Sequence, residues 1–167
     1  MRTLASLTVV TAAVALLCAG CARPAGEIAP AELPAADPAL GEASKAEAEI
    51  LELFDVYLRL HAEKKMDEWN ALFIPEAIGV EVERDGTSST FPVTELARSI
   101  AGYGKTIRSQ RETLDQVRIE THGGAGTYAA RYTLFINGEN VQTGRAFFPL
   151  IRKDGRWKIA GLVWQVD

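Results

Sequence analysis

Residues 123–167 read GGAGTYAARYTLFINGENVQTGRAFFPLIRKDGRWKIAGLVWQVD, and three glycine-containing pairs divide the stretch. Gly123-Gly124, Asn137-Gly138 and Asp154-Gly155 each lie between runs rich in β-branched and aromatic residues. Such pairs suit the tightest hairpin turns, whose central residues need positive φ. The segment therefore predicts a meander of long antiparallel strands. Two-residue turns also set a register if no bulge intervenes: Ile136 opposes Glu139 and Lys153 opposes Arg156. Counting outward, Tyr128 and Leu162 oppose Phe147, while Ala130 and Trp164 oppose Arg145. One face then carries Tyr128, Ala130, Tyr132, Val141, Arg145, Phe147, Ala160, Leu162 and Trp164. The other carries Phe135, Ala146, Phe148, Leu150, Trp157, Ile159 and Val163.

Both faces of that sheet are largely apolar, and helices packed on one side cover only one of them. An antiparallel sheet facing water normally shows polar residues on its open side. The second face therefore predicts a homodimer, the alternative being cover by long loops or a bulge.

Helical signals precede the strands. Ser44-Lys45-Ala46-Glu47 has the form of a capping box. Ile50, Leu53, Phe54, Tyr57, Leu58 and His61 follow at spacings that share one helical face, with Glu52, Asp55, Arg59 and Glu63 opposite. Asp67 is placed to cap a second short helix that turns Trp69, Leu72 and Phe73 inward. Ala77 to Glu83 alternates as a strand, turned back by Asp85-Gly86 through Ser88 to Phe91. A third helix is expected from Thr94, with Leu96 and Ile100 on one face and Gly104 as its stop. Helices first and an antiparallel sheet later is the α+β pattern.

Upstream of this domain (43–167), residues 22–42 hold Pro24, Pro30, Pro34 and Pro38 among Ala, Gly and Glu. So few large apolar side chains read as a tether with a reach on the order of 25 Å. Residues 1–21 have the layout of an export signal: Arg2, then an uncharged apolar run from Leu4 to Leu17, too short to span a bilayer of ~20 residues. Leu17-Cys18-Ala19-Gly20-Cys21 resembles the bacterial lipoprotein box, which implies lipidation of Cys21 and membrane attachment through that anchor. Ala22 after it implies, by the same resemblance, the outer membrane. Ordinary cleavage after Ala22 would instead leave a periplasmic or secreted protein.

Both cysteines fall in the leader, so the domain holds no disulfide, thiol nucleophile or zinc-type cysteine cluster. The chain carries 18 basic and 22 acidic residues; without Arg2 the balance is 17 against 22, a net charge of −5. An acidic chain with no basic run excludes nucleic acid as a partner. His61 and His122, far apart and without a ligand-spaced acid cluster, predict no metal site, and no cofactor motif is present. Lys105, Arg108 and Arg111 read as a solvated loop.

Three features together resemble the superfamily of nuclear transport factor 2, the SnoaL-like cyclases, scytalone dehydratase and ketosteroid isomerase. They are Tyr57 in the first helix, Leu72-Phe73-Ile74-Pro75-Glu76-Ala77 after the second, and Arg152-Lys153-Asp154-Gly155-Arg156-Trp157-Lys158-Ile159 near the end. The resemblance runs from about Glu47 to Asp167. It implies a cone-shaped α+β fold, N-terminal helices on a strongly curved antiparallel sheet, with a pocket between the layers. Alignment to ketosteroid isomerase implies an oxyanion-hole role for Tyr57, a proton-shuttling role for Glu81, and apolar pocket positions for Phe73 and Trp164. That enzyme's second oxyanion-hole acid falls on Phe147, so one donor is missing.

From these positions the expected site is Glu81 and Tyr57 as catalytic candidates, with Phe73, Arg145, Phe147, Trp164 and Tyr128 lining a ligand pocket. Arg145 beside Trp164 would suit an anion, or would pair with Glu81 as a structural ion pair. The expected partner is a small apolar or anionic molecule. An isomerase, dehydratase or cyclase with Glu81 as general base, and a non-catalytic interaction module, remain the alternatives.

Overall fold

A computed structural model describes residues 38–103 and 106–167. The leader, the Cys21 box and most of the tether lie outside the described residues, as do Gly104 and Lys105. Residues 36–167 form one compact unit.

The chain opens with α1 (Pro38–Ala62), which starts six residues ahead of the expected cap, so Ser44 lies inside the helix. Proline is tolerated in a helix's first turn, where its missing N–H has no intrahelical partner to lose. The inward face of α1 is the one its periodicity predicts: Ala46, Ile50, Phe54, Tyr57, Leu60 and His61 are buried. α2 (Met66–Asn70) buries Met66 and Trp69 but ends before Leu72, and no side chain caps its start. Phe73 opens β1 (Phe73–Val82) instead, because the strand begins four residues earlier than its alternation suggests. β2 (Ser88–Pro92) returns beside it, and α3 (Val93–Gly102) follows directly with Pro92, not Thr94, at its N-cap. The remainder is the meander: β3 (Gln110–His122), β4 (Ala125–Ile136), β5 (Glu139–Lys153) and β6 (Arg156–Val166).

The sheet order is β2-β1-β6-β5-β4-β3, antiparallel throughout except that β1 runs parallel to β6. That parallel pair is the one closed by the whole intervening chain, whereas every hairpin is local. α1 packs on β3 and α3 on β1, so the helices share one face of the sheet. Asn137 and Gly138 have φ of 54° and 89°, and Asp154 and Gly155 of 51° and 75°, the mirror-image turn geometry their sequences favour.

The expected pairs Ile136–Glu139 and Lys153–Arg156 form, but two bulges displace everything beyond them. Phe135 pairs with Asn140 and Leu134 with Gln142, leaving Val141 as an extra residue in β5. Tyr128 therefore opposes Phe148, Ala130 opposes Ala146, and Arg131 opposes Arg145. Between β5 and β6, Leu150 pairs with Ile159 and Phe147 with Val163, an extra residue in β6. A one-residue slip exchanges the faces of a strand. Without the first bulge, Arg145 would point at the helices and Phe148 at water. With it, Ala146, Phe148 and Leu150 are buried and Arg145 is exposed. Burying an unpaired guanidinium would cost far more than one interrupted ladder position. The second bulge lets Trp157 and Ile159 share the covered face with Leu162 and Trp164. Gly144 sits where the strands close on one another: a Cβ there would lie 1.9 Å from the Gln165 carbonyl oxygen and 2.8 Å from the Tyr132 ring.

The outer face is consequently less apolar than the unbulged register predicts. Arg118, Arg131 and Arg145 lie there with Phe147, Val163 and Gln165. Arg131 and Arg145 are direct cross-strand partners.

Candidate functional site

A cavity of about 370 Å³ lies between the helices and the sheet. Every element except β2 contributes to it. α1 supplies Tyr57 and His61, one helical turn apart, and α2 supplies Trp69. α3 supplies Leu96, Ser99 and Ile100, and Tyr103 follows at its C-cap. Alternate residues of the strands complete the wall: Gln110 and Glu112 of β3, Tyr132 and Leu134 of β4, Gln142 and Ala146 of β5, Leu162 and Trp164 of β6, and Glu81 of β1. Ser99 and Tyr103 are exposed, which sets the mouth at the end of α3, while Tyr57, His61, Trp69 and Tyr132 are buried at its closed end.

The closed end is polar within an apolar surround. Tyr57 packs against Trp69 with ring centroids 5.3 Å apart and lies parallel to His61 at 6.4 Å. The Gln110 amide donates to the His61 carbonyl oxygen at 2.6 Å, tying the start of β3 to the end of α1. Burial draws the His61 imidazole down to about 4, so it is neutral at physiological pH. The Glu112 carboxyl shifts the other way, to about 7, because burial disfavours its charge more than hydrogen bonding from the Tyr57 hydroxyl supports it. Glu112 is partly exposed and is among the residues that line the cavity. Tyr57 is in turn raised well above an ordinary phenol, first by burial and then by the negative charge of Glu112. Two polar atoms here, His61 Nδ1 and the Tyr132 hydroxyl, are buried without a hydrogen-bond partner, while the Trp69 indole N–H is near enough to the Tyr57 hydroxyl to stabilise its phenolate. At the other side of the cavity the Trp164 indole N–H donates to Glu81 Oε1 at 3.2 Å.

Of the residues expected from the sequence, Tyr57, Glu81 and Trp164 line this cavity together. The other four do not. Arg145 and Phe147 lie on the outer face, moved there by the Val141 bulge. The expected Arg145–Trp164 pairing is therefore absent: Trp164 opposes Ala146, and Arg145 opposes Gln165. Tyr128 stacks on Phe54 with centroids 3.5 Å apart and belongs to the core, as does Phe73, 4.7 Å from Trp69. The residue that sequence reasoning missed is Glu112. Its place comes from the pairing of Gln110, Glu112 and Leu114 with Ile136, Leu134 and Tyr132, which puts a carboxylate on the covered strand face and which no local signal in the sequence reveals.

Comparisons with known proteins agree with this architecture. The family model described as the SnoaL-like domain matches residues 42–163. No curated protein matches the chain. Among solved structures, a Mycobacterium tuberculosis protein of unknown function aligns with TM-score 0.66 and 17% identity, covering 78% of this chain and 76% of that one. A nuclear-transport-factor-2-like protein with a cystatin-like fold from Novosphingobium aromaticivorans aligns with TM-score 0.61 and 13% identity, covering 83% and 92%. A candidate scytalone dehydratase from the same organism aligns with TM-score 0.60 and 14% identity, covering 73% and 84%. At such identities the likeness is one of fold, and fold alone assigns no reaction. Helices on one face of a curved six-stranded sheet, with the family model matched across nearly the whole described region, make this chain a member of the SnoaL-like domain family.

Proposed function

We propose that this chain is an exported lipoprotein, anchored through Cys21, whose domain binds one small, largely apolar, hydrogen-bonding molecule in the cavity between α1, α3 and the sheet. The observation that carries the binding reading is the closed end of the cavity. Buried polar groups are almost always hydrogen-bonded in native proteins, and each unmet one costs about 1–3 kcal/mol. His61 Nδ1 and the Tyr132 hydroxyl are unmet together, beside open space. A ligand with a polar end would satisfy them while its body fills the apolar remainder. An interaction module with a self-filled pocket fits less well, since the cavity stays open between the layers. The anionic partner loses its main support with Arg145 on the outer face.

A second reading has one specific observation in its favour. A carboxyl titrating near 7 beside a tyrosine hydroxyl is tuned for proton transfer, and Glu112 with Tyr57 has that character. An isomerase, dehydratase or cyclase would use Glu112 as acid or base; Glu81, engaged by the Trp164 indole, is the weaker choice. Homodimer formation keeps narrower support than the sequence suggested, from Phe147 and Val163 as exposed cross-strand neighbours.

Native mass spectrometry of the protein released from the envelope of an expressing cell tests the binding reading and reads the oligomeric state. A discrete adduct is expected, lost when Ser99→Trp blocks the mouth. A protein that carries no adduct and takes up none of naphthylmethylamine, naphthylmethanol and naphthoate would overturn it. For the anchor, Cys21→Ala should release the protein from the membrane fraction; retention there would refute lipidation at Cys21.

A further inference from the structure

We infer that the molecule this cavity takes is an organic cation, an amine or ammonium group on a compact apolar or aromatic body. The inference rests on the binding reading above and concerns the charge of the ligand. Two carboxylates, Glu81 and Glu112, line the cavity, and no lysine or arginine does so among the described residues. Neither carboxylate joins a salt bridge among those residues. The imidazole of His61, held neutral by burial, supplies no compensating charge.

The two carboxylates act on common ground. The Tyr132 hydroxyl is raised above an ordinary phenol first by burial, then by Glu112, then by Glu81. That hydroxyl is buried, lacks a partner and lines the cavity, so it marks a point that feels both negative charges. An anionic ligand placed there would meet two like charges with no counter-ion. A neutral one would leave both carboxylates without a counter-charge. A cation satisfies the site and would draw Glu112 back into its ionised form.

The wall also suits a cation in a second way. Tyr57, Trp69, Tyr103, Tyr132 and Trp164 all line the cavity. A cation over such rings is attracted by their electron-rich faces, the more so when it is desolvated. Aromatic walls and uncompensated carboxylates together are the chemistry by which ammonium groups are recognised. The charge segregation of the sheet points the same way, since Arg118, Arg131 and Arg145 all lie on the opposite face.

The test is a matched series of probes: naphthylmethylamine, naphthylmethanol and naphthoate, titrated into the envelope-purified protein at neutral pH and read by tryptophan fluorescence and native mass spectrometry. The amine is expected to bind ~10-fold or more tightly than the alcohol, and naphthoate more weakly than either. Glu112→Gln and, separately, Glu81→Gln should each shrink the amine's advantage over the alcohol. Equal binding of amine and alcohol, or preference for naphthoate, would overturn the inference and leave the binding reading standing. Failure of all three probes to bind would sink both.

Discussion

The two faces of the sheet are built from alternate residues of the same strands, yet they carry opposite chemistry. On the covered face two carboxylates and the rings of Tyr132 and Trp164 line a cavity that the helices close with Tyr57, His61 and Trp69. The outer face carries three arginines beside Phe147 and Val163. Neighbours in sequence part company: Arg145 faces out and Ala146 in, Phe147 out and Phe148 in. One extra residue at Val141 sets that division along β5. The lesson is that a one-residue bulge can decide the charge of a binding site without altering the residues available to build it.

The largest expected effect comes from the Phe147–Phe148 pair. Phe148 is fully buried and its ring packs against Phe54, Tyr57 and Tyr128 at 4.8, 5.6 and 5.8 Å. Phe148→Ala should cost about 3–5 kcal/mol in urea unfolding, and Phe147→Ala, at a site 44% exposed, under ~1 kcal/mol. The reverse order would restore the unbulged register and break the comparison.

A smaller effect concerns two titrating groups at the cavity, His61 of α1 and Glu112 of β3. His61 has a folded-state value of about 4 against an ordinary 6.5, so its contribution is full above 6.5 and is lost as pH falls toward 4. Glu112 has a folded-state value of about 7 against an ordinary 4.5, so its contribution is full below 4.5 and is lost as pH rises through 7. The two slopes oppose each other between 4.5 and 6.5 and should largely cancel. Glu112→Gln should therefore expose a stability that rises with pH across that window, and His61→Phe one that falls, each by about 2 kcal/mol. Parallel slopes in the two variants, measured by unfolding at several pH values, would place both groups in contact with bulk water.

The smallest effect belongs to the outer face. Arg145→Ala should leave stability unchanged or raise it by up to ~0.5 kcal/mol, because it removes a like-charge partner of Arg131. Binding of the naphthyl probes should not change. A loss of binding in this variant would return Arg145 to the site.

Much of this was legible in the amino-acid order. The inward face of α1, the turns at Asn137-Gly138 and Asp154-Gly155, and the helices-then-meander layout all depend on local periodicity or on residues that accept positive φ. Tyr57, Glu81 and Trp164 reached the same cavity as expected. Phe73 and Tyr128 have the composition of pocket residues but pack in the core, since an aromatic side chain does not reveal whether its neighbour will be protein or open space. Glu112 was hidden because the face it occupies depends on pairing between β3 and β4, and that ladder has its own bulge at Gln116, where φ is 52°.

By itself, then, the sequence determined which elements form, where the hairpins turn and which residue types were available to line a cavity. Those follow from φ preferences and spacing within a few residues. The tertiary structure alone decided which face each strand shows. A bulge has no local signature strong enough to compete with the energy of burying Phe148 and exposing Arg145, and that energy exists only when distant strands and helices have come together.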